Sequence, residues 1–210
     1  MSKILKVLVG CEESQAICKE FRKLGHEAFS CDLLPCSGGH PEWHLQMDVF
    51  EAIKLKSWDL AVFHPPCTFL AVSGARWLYN KDGSIDNSRK RSQDEALAFV
   101  KQLMDCNIPY TAIENPVSII SSKIRKPDQC IQPWQFGHAE IKKTCLWLKN
   151  LPKLEETDNV KGKIDALEYK DKAKIHYMSP GEDRAKLRSK TYKGIAKAIA
   201  EQWSYYVKNQ

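Results

Sequence analysis

The chain has 210 residues, of which 43% are hydrophobic and 28% are charged, and this composition excludes an intrinsically disordered protein. Its length suits one well-buried α/β domain, and no apolar run approaches the roughly 20 residues that cross a membrane. Eight cysteines without a secretion signal predict reduced thiols and a cytoplasmic location, because disulfides persist mainly in oxidising compartments. We therefore expect a protein without a membrane partner.

Positive charge is concentrated in one part of the chain. The formal net charge is +6, and residues 161–197 alone hold eleven Lys or Arg against five Asp or Glu. Such a basic segment is typical of a protein with a phosphate-bearing partner, and it is equally typical of a solvated, lysine-rich surface. Charge alone leaves both interpretations open.

Strand and helix patterns alternate along the chain, as in a doubly wound α/β sheet. Strands are predicted at residues 4–10, 26–31, 60–63, 110–113 and 143–148, with a short extended piece ending at Met47-Asp48. Helices are predicted at residues 12–24, 93–106 and 194–207. The polar stretch 83–91 is predicted to be a loop. With no repeat or linker, the pattern indicates a single compact domain over residues 1–210, which includes the basic segment.

Acidic residues follow three successive extended elements. Glu12 comes directly after Gly10-Cys11, Asp32 follows the second strand, and Asp48 follows the short extended piece. A carboxylate after the second strand of a doubly wound fold holds the hydroxyl groups of a ribose. The first loop has a single glycine and no phosphate-binding pattern, so the set predicts a nucleoside cofactor without a pyrophosphate, such as S-adenosylmethionine. The alternative for Glu12 is structural, since acids stabilise the start of a helix.

A cysteine stands just past the apolar strand 60–63. Pro65 and Pro66 restrict the backbone before Cys67, and ligands of open α/β sheets bind beyond the carboxyl ends of strands. This placement predicts a nucleophilic thiol. The alternative is a small buried hydrophobic residue, which is the commonest environment of a free cysteine.

A glutamate follows the next predicted strand in a similar way. Glu114 comes after the apolar residues 111–113 and directly before Asn115-Pro116. Partial burial would raise the pKa of its carboxyl group and make it a proton donor near neutral pH, whereas the alternative is a surface glutamate in a turn. A thiol and a carboxyl group at neighbouring strand ends predict nucleophilic chemistry on a pyrimidine ring.

Four residues with metal-binding side chains cluster in the sequence, namely Cys31, Cys36, His40 and His44. Their spacing differs from the tight cysteine pairs of structural zinc sites, and Asp32 among them already serves the predicted cofactor site. We therefore expect no metal.

The chain resembles the DNA cytosine carbon-5 methyltransferase family. The residues that carry the resemblance are Gly10-Cys11-Glu12, Asp32, Asp48, Pro65-Pro66-Cys67 with Ser73-Gly74, and Glu114-Asn115. Within that family it is more closely similar to the small phage-type proteins, through residues 131–138, 144–148 and 188–203. The resemblance spans nearly the whole chain.

The resemblance implies a class I methyltransferase fold that binds S-adenosylmethionine. Cys67 would add to carbon 6 of the target cytosine, and Glu114 would protonate or hydrogen-bond ring nitrogen 3, so that carbon 5 could take the methyl group. The cofactor-binding residues implied are Gly10, Cys11, Glu12, Asp32, Asp48 and Pro65. The substrate-binding residues implied are Ser73, Arg76, Trp77 and Asn115, and residues 73–91 would form a mobile loop that closes over the substrate.

The chain departs from this family in two places. Only 39 residues separate Leu148 from Arg188, so the large target-recognition region is missing. The glutamine-arginine-arginine motif is absent in its usual form, and Lys142 or Lys143 is the candidate substitute for its arginine. Because so little of the chain could grip a duplex, the expected partner is single-stranded or locally opened DNA, bound with weak sequence specificity.

Two other functions fit the same residues. One is an enzyme that uses the thiol on a free pyrimidine nucleotide, and the other is a non-catalytic nucleic-acid-binding module of the same fold. Activity on dCMP but not on a polymer would indicate the first. Tight DNA binding without cofactor binding would indicate the second.

Overall fold

A computed structural model describes residues 3–179, 181 and 184–210. Its named strands are β1 (Lys6–Gly10), β2 (Glu27–Asp32), β3 (His44–Gln46), β4 (Leu60–Phe63), β5 (Tyr110–Pro116), β6 (Gln129–Ile131) and β7 (Thr144–Lys149). They form one seven-stranded sheet in the order β3-β2-β1-β4-β5-β7-β6. The first five strands are parallel, and β7 runs antiparallel to both β5 and β6.

The order of the strands reverses at β1, because β2 lies on one side of it and β4 on the other. In a doubly wound sheet, this switch point opens a crevice beyond the carboxyl ends of the strands, where ligands bind. Six strands run parallel, and the reversed strand β7 is inserted between β5 and β6, which is the class I methyltransferase arrangement. The predicted fold class is confirmed.

Helices cover both faces of the sheet. They are α1 (Ala16–Lys23), α2 (Val49–Lys54), α3 (Asn87–Met104), α4 (Ile120–Lys123), α5 (Lys161–Asp165), α6 (Tyr169–Lys172), α7 (Lys174–Tyr177), α8 (Arg184–Ser189) and α9 (Lys193–Lys208). On one face, α1 and α9 pack together and bury Phe21 and Trp203. On the other face, α3 packs on β4 and β5 through Val100 and Leu103. Across the described ranges, no helix combines the length and apolarity needed to cross a membrane.

Two helices begin elsewhere than predicted. α1 begins later, because Cys11 and Gln15 adopt left-handed backbone conformations with φ of 59° and 58°. α3 begins earlier, because the carboxylate of Asp86 accepts hydrogen bonds from two amides of its first turn. The predicted loop 83–91 is therefore wrong beyond Asp86.

The strand β5 is longer than predicted and contains Glu114. Its pairing with β7 continues past Ile113 through Glu114, Asn115 and Pro116. The prediction that Glu114 follows the strand is wrong, because the antiparallel neighbour extends the hydrogen-bonded ladder.

The basic segment 161–197 is largely helical. It contains α5 to α8 and the start of α9, and its residues 180, 182 and 183 lie outside the described residues. The sequence predicts neither these short helices nor β6, because a piece of three to six residues carries too little periodicity to be recognised. Their positions follow from contacts with the rest of the fold.

Candidate active site

Cys67 lies in the loop that leaves the carboxyl end of β4. On neighbouring β5, Asn115 Nδ2 donates to the carbonyl oxygen of Pro65 at 2.8 Å and anchors this loop. The carbonyl oxygen of Cys67 accepts from the amides of Leu70 and Ala71, so the chain turns directly after the cysteine. Cys67 is exposed, and the anchored loop presents it at the surface.

Asn115 has a structural contact that its predicted substrate-binding role does not require. The residue is only 1% exposed, and its amide nitrogen is committed to the loop before Cys67. Its Oδ1 is buried, and among the described residues it has no hydrogen-bond partner. The observed role is to position the Cys67 loop, and contact with a substrate stays a prediction.

A cavity of about 620 Å³ opens beside Cys67. The predicted residues Ser73, Arg76 and Trp77 line it, so the structure brings them together with the thiol. Trp77 is 58% exposed, and the guanidinium of Arg76 lies 4.6 Å from the centre of its ring. An aromatic ring and a positive charge therefore stand at the cavity beside Cys67.

Three more arginines line this cavity and were not among the predicted site residues. Arg89 lies on α3, in the part predicted to be loop, and its Nη2 is 3.5 Å from the carbonyl oxygens of Thr68 and Gly74. Arg184 and Arg188 lie on α8. The positive charge of the basic segment pointed to both, and Arg188 also begins the segment 188–203 that carries part of the resemblance. With Arg76, four guanidinium groups surround the cavity, and none of the described lining residues carries a carboxylate.

Glu114 faces His64 across the neighbouring strand ends. His64 Nδ1 lies 3.1 Å from Glu114 Oε2, and the two side chains are 12% and 18% exposed. Burial raises the pKa of Glu114, but the hydrogen bond and charge of His64 and the charge of Lys142 outweigh burial and hold the pKa below its usual value. The predicted rise in the pKa of Glu114 is therefore wrong, because its partners come from other elements. His64 is a further site residue that was not predicted.

Of the two candidate lysines, Lys142 is the one that acts on the predicted catalytic residues. Its positive charge works to lower the pKa of both Glu114 and Cys67, while burial lowers the pKa of Lys142 itself. Lys143 is exposed, and its charge acts on Cys145. The structure thus places the charge of Lys142 within electrostatic range of the thiol and the carboxylate, while its Nζ donates to the carbonyl oxygen of Lys190 at 3.2 Å.

The thiol of Cys67 is held in its protonated form near neutral pH. Although the residue as a whole is exposed, the surrounding protein atoms raise its pKa, and the charge of Glu114 raises it further. The positive charges of Lys142 and Arg188 oppose this rise in pKa. Since the thiolate is the nucleophile, catalysis requires that proton to be removed once a substrate is bound.

The predicted cofactor residues Cys11, Asp32 and Asp48 lie together at the carboxyl ends of β1, β2 and β3. Asp32 is the last residue of β2 and does not follow the strand as predicted, because its pairing with Gln46 of β3 extends the ladder by one residue. Burial raises the pKa of Cys11, and the negative charges of Asp32 and Asp48 raise it further, which shows that both carboxylates are near this thiol. Asp32 Oδ1 accepts from the amide of Leu34 at 2.9 Å, and Asp48 Oδ1 accepts from Phe50 at 2.8 Å. Within the described part of the chain, the other oxygen of each carboxylate makes no hydrogen bond. Two such carboxylates at strand ends fit the hydroxyl groups of a ribose.

Gly10 and Glu12 have structural roles in the same region. A Cβ at Gly10 would lie 2.6 Å from Phe63 and 2.7 Å from Val49, so side-chain packing requires the glycine. Glu12 is 5% exposed and accepts from the amides of Ile17 and Cys18, which begin α1. These contacts match the structural alternative for Glu12, and a cofactor contact by either residue stays a prediction.

Comparisons with known proteins identify no relative in sequence. No family model matches the chain, and no curated protein does. Among solved structures, it is similar to a prophage-encoded Escherichia coli protein proposed to be a DNA modification methyltransferase, with 15% identity over 69% of this chain and a TM-score of 0.45. It is also similar to an Escherichia coli rRNA methylase, with 14% identity over 70% of this chain and a TM-score of 0.38. The matches cover 46% and 57% of those two chains, so this chain spans about half of their length.

Proposed function

We propose that this protein transfers a methyl group from S-adenosylmethionine to carbon 5 of cytosine in DNA, through a covalent cysteine adduct. The observation that carries the proposal is the exposed thiol of Cys67 at an arginine-lined cavity, with Glu114 on the adjacent strand close enough to influence the thiol's pKa. Addition to a pyrimidine needs a nucleophile, a group facing the ring nitrogen, and charges that hold the substrate phosphates.

Cys67 begins the reaction when a base takes the proton of its thiol and the sulfur adds to carbon 6 of the pyrimidine. The addition breaks the ring conjugation, and a proton donated by Glu114 to ring nitrogen 3 stabilises the adduct, in which carbon 5 is nucleophilic. S-adenosylmethionine, when bound, supplies the methyl group that this carbon accepts. Loss of the carbon-5 proton to a base, with return of the nitrogen-3 proton to Glu114, then expels the sulfur of Cys67 as a thiolate and restores the ring.

The cavity favours a phosphate-bearing substrate. Four arginines offer planar, charged donors that match phosphate oxygens, and Trp77 offers a ring on which an unpaired base can stack. Contacts of this kind bind any sequence, because they do not read base edges. Extrusion of a base from a duplex costs a few kcal/mol, so we propose single-stranded or locally opened DNA as the preferred substrate.

A fluorinated substrate tests this function. Single-stranded DNA with 5-fluorocytosine cannot lose the carbon-5 substituent as a proton, so a covalent adduct should accumulate in the presence of S-adenosylmethionine. Mass spectrometry of a digest should place the adduct on the peptide that contains Cys67. An adduct formed with the free fluorinated nucleotide and not with DNA would select nucleotide modification instead, and DNA binding without any adduct would select a non-catalytic module.

Replacement of Asp32 by alanine should weaken cofactor binding. Hydrogen bonds to a charged carboxylate contribute about 1.5–3 kcal/mol, which corresponds to a loss of roughly 10- to 100-fold in affinity. Calorimetry with S-adenosylhomocysteine measures this change. Asp105→Ala, which removes an exposed carboxylate after the end of α3, is the matched control and should bind normally. Equal affinity in a folded Asp32→Ala protein would remove this residue from the cofactor site.

A further inference from the structure

His64 occupies the junction between the proposed cofactor and substrate sites. Its backbone amide donates to the carbonyl oxygen of Gly10 at 3.0 Å, beside the loop that follows β1. Its ring lies on the side of β5, where Nδ1 is 3.1 Å from Glu114 Oε2. The second ring nitrogen, Nε2, is buried, and no described residue provides a hydrogen-bond partner for it. One nitrogen is therefore committed to Glu114, and the other is unused.

The charged groups around His64 come from three elements. Glu114 lies on β5, Glu12 follows β1, and Lys142 precedes β7. Burial works to lower the pKa of His64, but the hydrogen bond and charge of Glu114, with a smaller contribution from the charge of Glu12, outweigh both burial and Lys142, so the pKa of His64 is raised. Burial raises the pKa of Glu12 itself. The pKa of Glu114 is lowered. In the pH interval between the pKa values of Glu114 and His64, the pair therefore consists of an imidazolium beside a carboxylate.

This pair conflicts with the role proposed for Glu114. Nitrogen 3 of cytosine has a lone pair and no proton, so it accepts a hydrogen bond, whereas a carboxylate can only accept one. Glu114 must acquire a proton before it can face that nitrogen productively. The imidazolium in contact with Glu114 is the nearest donor of that proton.

We propose that His64 is a positioning residue that stores the proton with which Glu114 engages ring nitrogen 3. The inference rests on the proposed function. It assigns His64 a role in that reaction, in which His64 acts through Glu114 and does not contact the substrate. When the base enters, an N–H bond of the imidazolium breaks and an O–H bond forms on Glu114, which then donates to nitrogen 3. The pair is neutral overall before and after the transfer, so no proton is drawn from solvent.

The stored proton has a defined pH range. Between the lowered pKa of Glu114 and the raised pKa of His64, the pair holds the proton, and it loses that proton as the pH rises through the pKa of His64. An asparagine at position 64 could still donate an N–H to Glu114 Oε2 but could not release a proton. Glu114 would then take its proton from solvent, and its active fraction would fall tenfold per pH unit above its own pKa.

The test compares wild type with His64→Asn across about pH 5.5 to 9, a range that includes the titration of histidine. The measured quantity is the rate of adduct formation on Cys67 with single-stranded DNA that contains 5-fluorocytosine. The ratio of variant to wild-type rates cancels the titration of Cys67, which both proteins share. Above the pKa of Glu114 in the variant, the active fraction of the variant falls tenfold per pH unit, whereas that of the wild type stays constant up to the pKa of His64. We therefore expect the ratio of the two rates to fall tenfold per pH unit in this interval.

The same substitution of His64 in a Glu114→Gln protein distinguishes proton storage from a purely structural role of His64. In Glu114→Gln, the amide supplies a fixed N–H donor, so adding His64→Asn should leave the pH dependence unchanged. A ratio that stays constant with pH in the single variant overturns the proton-storage role, even if the rate itself drops. Failure of the wild-type protein to form any adduct on Cys67 would instead overturn the proposed function, and this inference with it.

Discussion

Replacement of Cys67 by alanine should abolish methyl transfer, with a loss of activity on the order of 10⁴-fold or more, as expected when a covalent nucleophile is removed. Without sulfur addition, carbon 5 of cytosine stays part of an aromatic ring and is a poor nucleophile. The measurement is the transfer of a labelled methyl group from S-adenosylmethionine to single-stranded DNA. Binding of S-adenosylhomocysteine should be retained, because the predicted cofactor residues Cys11, Asp32 and Asp48 lie at the ends of other strands.

The matched control for this variant is Cys130→Ala. Cys130 is also an exposed cysteine, but it lies on β6 at the far edge of the sheet, with its sulfur 3.4 Å from that of Cys145. Its replacement should leave methyl transfer close to the wild-type rate. Undiminished turnover in folded Cys67→Ala, or an adduct that maps to another cysteine, would contradict the mechanism.

Charge reversal at Arg184 and Arg188 should weaken DNA binding strongly, by a factor on the order of 100 at low salt, and by a similar factor for every sequence. Both arginines line the cavity beside Cys67, and each phosphate that they neutralise releases counterions from the DNA. The slope of the logarithm of affinity against the logarithm of salt concentration should become shallower by about one for each phosphate that the variant no longer neutralises. Measuring binding in a Cys67→Ala background avoids interference from adduct formation.

The control for the arginine variant has the same change in net charge. Lys126→Glu with Lys153→Glu reverses two exposed lysines that are not among the lining residues of the cavity. It should reduce affinity much less than the arginine pair does. If both double variants weaken binding equally, the effect comes from net charge and not from this cavity. Methylation restricted to one short duplex sequence at physiological salt would also contradict binding through phosphates alone.

The central strands could be predicted from the sequence because their local pattern and their tertiary position agree. β4 has the predicted bounds, Leu60–Phe63, and its four apolar residues are fully buried between the two cores. Parallel strands covered on both faces by helices are apolar along their whole length, so such a run is recognisable without its neighbours. The position of Cys67 beyond this strand follows from the same local pattern.

The boundaries that depend on a partner could not be predicted in this way. β5 extends through Glu114 because β7 pairs with it, and β7 comes from a part of the chain some thirty residues further on. The short helices of the basic segment likewise have no periodicity of their own to recognise. Isolated pieces of this length are marginal in water, so tertiary packing stabilises them.

The sequence by itself determined which residue types stand near the strand ends: carboxylates near the ends of β1 to β3, a thiol after β4 and a carboxyl group near the end of β5. Only the tertiary structure decided what those groups contact. It placed His64 against Glu114, brought Arg184 and Arg188 of α8 to the thiol, and reversed the expected shift in the pKa of Glu114. The physical reason is that burial follows from a local apolar pattern, whereas the charges that oppose its effect on a pKa come from residues distant in sequence, and only folding brings them within range.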